Sequence, residues 1–185
     1  MKGQVVAVCV SKRKGTVKKN VGRARLQVDW GIEGDAHAGN WHRQVSLLAW
    51  ESIEKMRAQG LNVREGSFAE NITTRGLELH TLPVGTRLRL GSALVEVAQI
   101  GKLCHAKCAI FQMVGDCVMP REGIFARVLE EGEVAVGDPI EVVSLPEQEA
   151  PPVEGEAATP TVRRAGAQCA GFLLAFPAAE SRGYG

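Results

Sequence analysis

Thr86-Arg87-Leu88-Arg89-Leu90-Gly91-Ser92-Ala93-Leu94-Val95-Glu96-Val97-Ala98-Gln99-Ile100 is the stretch that decides the fold class. Thr86 to Leu90 alternates polar and apolar residues, and Ala93 to Ile100 alternates or runs apolar, which is the period of a strand. Gly91-Ser92 between them suits a two-residue hairpin turn. Working outward, Val5 to Val10 reads as a buried strand and Ile140 to Val143 as a closing one, behind a turn at Gly137-Asp138-Pro139. Ile124 to Leu129 and Glu133 to Val136 resemble a second hairpin across Glu131-Gly132. A short helix from Arg121 to Leu129 is the other reading, and periodicity does not decide between them. The best helix spans Ser46 to Gln59: Ser46 caps its start, Gly60 ends it, and Ala49, Ile53 and Met56 share a face. Glu51 precedes Lys55 by four residues, a favourable ion-pair order. Many short strands, tight turns and a few short helices predict a mainly β protein built as a β-barrel.

Composition sets the outer bounds. The chain has 185 residues and a net charge of +1, enough for one domain with a tail and no global reason to expect nucleic acid or a membrane as partner. No apolar run is long enough to span a bilayer. Met1-Lys2-Gly3-Gln4 enters a strand pattern without a secretory signal, so the expected compartment is cytoplasmic. There the 5 cysteines read as thiols, not a disulfide frame. Residues 146–185 are rich in Pro, Glu and Ala and are expected to form a flexible linker and tail. The apolar group Phe172, Leu173, Leu174 and Phe176 lies within that segment.

Chemistry concentrates where the deciding hairpin ends. Gly101-Lys102-Leu103-Cys104-His105-Ala106-Lys107-Cys108 leaves Ile100, and Gly115-Asp116-Cys117 follows. A thiolate is both a soft ligand and a strong nucleophile. The alternative is a set of buried small hydrophobes, because free cysteine packs well.

Several motifs in order resemble one family. Gly34-Asp35 with His37, then His42-Arg43-Gln44-Val45-Ser46, then Gly66-Ser67-Phe68-Ala69-Glu70-Asn71-Ile72 are similar to the front half of a MOSC domain, the C-terminal domain of molybdenum cofactor sulfurases. The cysteine stretch, Gly115-Asp116-Cys117 and Gly137-Asp138 are similar to its back half. The resemblance covers Met1 to Val143, which sets a MOSC domain at residues 1–145. It implies a β-barrel of the kind also inserted in pyruvate kinase, and a role in binding the pterin-based molybdenum cofactor (molybdopterin) or handling sulfur for it. No pyridoxal phosphate is expected, because the chain is too short to hold a desulfurase domain.

The resemblance also implies site residues. Relatives carry a functional cysteine just after this strand. Matched through Gln99-Ile100-Gly101-Lys102 it is Cys104; matched through Ala109-Ile110-Phe111 it is Cys108, the first choice. That thiolate is expected to ligate molybdenum or to carry a persulfide, with Lys102 and Lys107 favouring its ionised form. The glycines of Gly31 to Gln44 suggest backbone amides facing an anion, beside His37, His42 and Arg43, whose planar fork suits a phosphate. Asn71, Glu70, Thr73 and Thr74 have the donors and acceptors of a pterin edge, and Lys102 and Arg121 are expected to hold the anionic part of the cofactor. Each set has a plainer reading as turn or packing residues, and the basic run Lys12 to Lys19 reads as a solvated hairpin tip, the alternative being a segment that steers an anionic cofactor or contacts a partner protein.

Three functions follow. The first is cofactor binding and sulfur handling, with a sulfur donor protein or a target molybdoenzyme as partner. The second is a molybdenum-dependent reductase of N-hydroxylated compounds, which needs a separate electron donor since the chain shows no flavin or iron–sulfur signature. The third is a zinc-stabilised interaction module using Cys104, His105, Cys108 and Cys117.

Overall fold

The computed structural model describes residues 1–103 and 109–146. Cys104, His105, Lys107 and Cys108 lie outside the described residues, as does all of the expected tail beyond Pro146. The elements in chain order are β1 (Lys2–Val10), β2 (Lys19–Asn20), β3 (Arg23–Gln27), β4 (Gly31–Ile32), β5 (Val45–Ala49), α1 (Trp50–Ala58), β6 (Ile72–Arg75), β7 (Arg87–Leu90), β8 (Ala93–Ile100), α2 (Ala109–Val114), α3 (Met119–Glu122), β9 (Ile124–Glu130), β10 (Gly132–Ala135) and β11 (Pro139–Ser144), with a 3-10 turn at Leu79–Thr81 before β7.

Strands β11, β7, β8, β9, β5, β6 and β1 follow one another in a single sheet, and β1 pairs back onto β11, so seven strands close a barrel. Closure removes the free edges that an open sheet would expose. A small second sheet, β10-β3-β4, lies outside the ring. The deciding hairpin forms as expected: Leu90 faces Ala93 across Gly91-Ser92, and Gly91 takes φ 54°. The two-residue period fills the barrel. Leu88, Leu90, Val95 and Val97 point into one core with Val5, Leu47, Ile72, Ile124 and Ile140.

Two expectations are corrected. The predicted helix over 46–59 is a strand followed by a helix. Val45–Ala49 is buried at all five positions, because Leu47 faces the barrel interior while Leu48 faces a second cluster with Ile53 and Met56 of α1. A strand covered on both sides shows no alternation. Strands β5 and β6 pair in parallel, so the chain must cross over between them, and α1 is that crossover. Ser46 therefore caps nothing; its hydroxyl donates to Asn71 Oδ1. Lys55 pairs with Glu122, not Glu51, and Gly60 ends the helix with φ 89°. The second correction concerns Ile124–Leu129 and Glu133–Val136. They do not form a hairpin: β9 pairs with β5 and β8, and β10 turns away to pair with β3. The helical alternative over Arg121–Leu129 fails as well, since the helix stops at Glu122 and β9 starts at Ile124.

The stagger of the strands brings the loops that matter together. Ile100 at the end of β8 faces Ile124 at the start of β9, and Gly101 N donates to Gly123 O at 2.7 Å. Asn71 N donates to Ser46 O, and Cys9 N to Asn71 O. Residues 11–18, 33–44 and 66–71, which leave β1 and enter β5 and β6, come beside residues 101–103 and 109–123 because the strands are staggered: Ile124 is level with Leu47, Leu47 with Ile72 and Ile72 with Val8.

Candidate functional site

Two buried carboxylates organise these loops. Asp35 accepts from Ser11 N at 3.0 Å, His37 N at 3.0 Å and Lys18 Nζ at 2.7 Å. The Lys18–Asp35 ion pair is closed off from solvent. Burial alone would raise the Asp35 carboxyl, but the neighbouring His37, Lys18 and Ser11 outweigh it and hold the group below the usual carboxylate range. One carboxylate thereby ties the end of β1, the basic hairpin and the glycine-rich loop together. Lys18, read from sequence within a solvated run, is a buried anchor instead.

Glu70 does the same for the second loop. It accepts from Gly66 N at 2.5 Å, Phe68 N at 3.1 Å and Thr73 Oγ1 at 3.0 Å. Burial pushes its carboxyl up, opposed by those donors. Within this turn Ala69 takes φ 61°, a left-handed conformation that costs a residue with a Cβ about 1–2 kcal/mol. Gly66, at φ 78°, lies so close to the Lys18 carbonyl that a Cβ there would collide with it, and Lys18 N donates to Gly66 O at 3.0 Å. Asn71 is equally committed. Its Oδ1 accepts from Ser46 N and Ser46 Oγ, and its Nδ2 donates to Cys9 O. Asn71 and Thr73 are buried and hold the scaffold, so they present nothing to a ligand from these positions. The Cys9 thiol, pushed up to about 12 by burial and by Glu70 and Glu65, is a packed, protonated group.

Between these loops and α3 lies a cleft of about 290 Å³. Thr16 and Val17 of the hairpin, Ser67, Phe68 and Ala69 of the Glu70 turn, and Cys117 and Met119 line it. So do Lys102 and Ile110, each two positions from Cys104 or Cys108 in the chain. Both flanks of the cysteine stretch thus meet the third thiol at one opening. The α3 wall is clasped to α1 through Glu122, which accepts from Ser52 Oγ at 2.6 Å and Lys55 Nζ at 3.0 Å. Asp116 accepts from Cys117 N at 2.8 Å and takes both arms of the Arg121 fork, at 2.6 and 2.9 Å. Those Arg121 hydrogen bonds lower its carboxyl to about 2. Arg121 is therefore already neutralised by Asp116.

The remaining expected residues divide. The Arg43 guanidinium lies over Trp41 at 4.8 Å and Phe125 at 5.8 Å, makes no ion pair among the described residues, and has a buried Nε without a hydrogen-bond partner. Phe125 packs in the cluster that includes Phe68, Cys117 and Met119, which brings Arg43 beside the cleft wall. His42 Nε2 lies 2.9 Å from Gln99 Oε1, and Gln99 Nε2 donates to Gly101 O, so His42 braces the end of β8. His37 belongs to the Asp35 anchor. The expected zinc set is represented among the described residues by Cys117 alone, and no group of three or more metal-ligating side chains occurs among them. Sequence reasoning missed Lys18, Phe68 and Met119 as site-forming residues. The quoted Gly34-Asp35 motif carried the one available signal, because an acid in a glycine-rich loop needs a partner when the loop folds inward.

No helix among the described residues is long and apolar enough to cross a membrane. Comparison with solved structures supports the barrel. The YuaD protein from Bacillus subtilis aligns with a TM-score of 0.63 at 19% identity, over 76% of this chain and 94% of that one. YiiM from Geobacillus stearothermophilus aligns with a TM-score of 0.56 at 22% identity, over 77% of this chain and 75% of its own. YiiM from Escherichia coli aligns with a TM-score of 0.53 at 23% identity, over 78% and 70%. No curated protein matches the chain. Residues 34–141 match the MOSC domain, a span that includes both carboxylate anchors and most of the cleft. The chain belongs to the MOSC domain family.

Proposed function

We propose that this domain binds the molybdenum cofactor and handles sulfur for it, with Cys108 or Cys104 as thiolate ligand or persulfide carrier. The observation that carries the reading is the cleft beside the end of β8, where Lys102, Ile110 and Cys117 converge. The residues present fit such a group in kind. Lys102 offers a cation for its anionic part, Phe68 and Met119 an apolar wall for a flat ring, and Arg43 a guanidinium held on two aromatic faces with an unpartnered buried Nε. When bound, the cofactor supplies a soft metal that takes sulfur ligands or exchanges oxygen and sulfur. The chain's own part is to hold and orient it: Asp35 and Glu70 fix the two loops, and the Glu122 clasp fixes α3. A cation at the cleft mouth favours the ionised form of a nearby thiol.

The test is elemental and pterin analysis of protein purified from a host that makes the cofactor, together with cyanide-labile sulfur. Wild type is expected to carry molybdenum and pterin, or labile sulfur, and Cys104→Ala with Cys108→Ala to lose it. Undiminished content in the double variant overturns the reading. Stoichiometric zinc without pterin would return the zinc module to first place.

A further inference from the structure

The first 28 residues contain eight Lys and Arg and not one Asp or Glu, while the rest of the chain has 14 against 21. Folding neutralises half of that basic segment with acids from elsewhere. Lys2 pairs with Glu141, Lys18 with Asp35, Arg23 with Glu133 and Arg25 with Glu131. Lys12, Arg13, Lys14 and Lys19 remain. They are exposed, have no ion pair among the described residues, and all sit on the hairpin between β1 and β2. Lys12, Arg13 and Lys19 line a groove of about 390 Å³ together with Val10, Val17 and Val21. Val17 is 57% exposed and Val21 49%. Thr16 and Val17 line both this groove and the cleft, so the hairpin is a shared wall.

We propose that this hairpin is a docking surface for a protein partner that presents acidic side chains around an apolar one. The unpaired cations match the acids, and the valines take the apolar residue, a combination that a purely electrostatic ligand would not use. The shared wall places whatever docks here beside the cleft. The inference is independent of what the cleft itself holds.

Fluorescence anisotropy with a labelled short peptide of glutamates and leucines tests it on the full chain, against an all-glutamate peptide of equal charge, single-stranded DNA, and phosphatidylserine-containing vesicles. The leucine-bearing peptide is expected to bind tightest, with affinity falling as salt rises. Lys12→Glu with Arg13→Glu is expected to weaken it about tenfold, and Val17→Ser to erase its advantage over the all-glutamate peptide. No binding of the leucine-bearing peptide, equal or tighter binding of the other probes, or unchanged binding in the charge-reversed variant overturns the proposal. Pterin content is read on the same preparations. A charge-reversed variant that loses both peptide and pterin overturns it too, because the hairpin would then belong to the cofactor site.

Discussion

At the scale of single residues, Lys18 and Asp35 decide how the site end is built. Both charges are buried, so removing one leaves the other uncompensated. Asp35→Ala is expected to lose about 3–5 kcal/mol in denaturant unfolding. Lys18→Met with Asp35→Asn keeps an acceptor for the Ser11 and His37 amides and removes both charges, and is expected to stay within about 2 kcal/mol of wild type. The pH dependence has a defined sign. The folded Asp35 carboxyl is depressed, so its contribution is complete above the unfolded value of about 3.9 and drains away as pH falls through the folded value. Wild type should therefore lose stability on acidification by an increment that the double variant lacks. Glu70, raised by burial, acts oppositely: its contribution is greatest below the unfolded carboxyl value and is lost as pH rises through the folded one. Asp35 and Glu70 both stood out in the sequence through their motifs, and Lys18 did not. Asn71 and Thr73 looked like ligand-edge donors because their side chains have that chemistry. What spends those groups internally is the Ser46 and Glu70 pairing, set by strands distant in sequence.

At the scale of elements, the β5–α1 unit shows what periodicity can and cannot reveal. Ile53 and Met56 do pack in one buried cluster, as read, whereas Ala49 is buried as the last residue of β5. The first four residues of the stretch, 46–49, are nonetheless strand, because the strands that flank them, β6 and β9, are not local. The β7–β8 hairpin was legible since its turn and its alternation are both local. The Glu70 turn depends on close backbone approach. Gly66→Ala must shift the Lys18 carbonyl and accept a left-handed φ, and is expected to destabilise the domain by more than about 2 kcal/mol. Gly60→Ala, with open space at its Cβ, incurs the φ penalty alone, about 1–2 kcal/mol. Thermal or denaturant unfolding of the two variants side by side checks the order.

At the scale of the whole molecule, the barrel closes through β1 and β11, whose register runs from Lys2–Glu141 to Gln4–Pro139. The sequence pointed to a closing strand at this place because an apolar run follows a Gly-Asp-Pro turn. A chain ending at Gln148 keeps β11 whole and is expected to unfold within a few degrees of the full chain; a large drop in Tm would show that later residues support the barrel. The cysteine stretch is where local reading and fold meet, since the closed barrel brings Lys102 and Ile110 to one opening with Cys117, which no sequence periodicity encodes.

The pterin bound per chain in wild type and in Lys102→Glu tests the claim that this opening holds the cofactor. Reversing the cation at the cleft mouth should cut bound pterin by about tenfold while the unfolding midpoint stays unchanged, since Lys102 makes no ion pair among the described residues. Equal pterin in both proteins, at an unchanged midpoint, would contradict the claim.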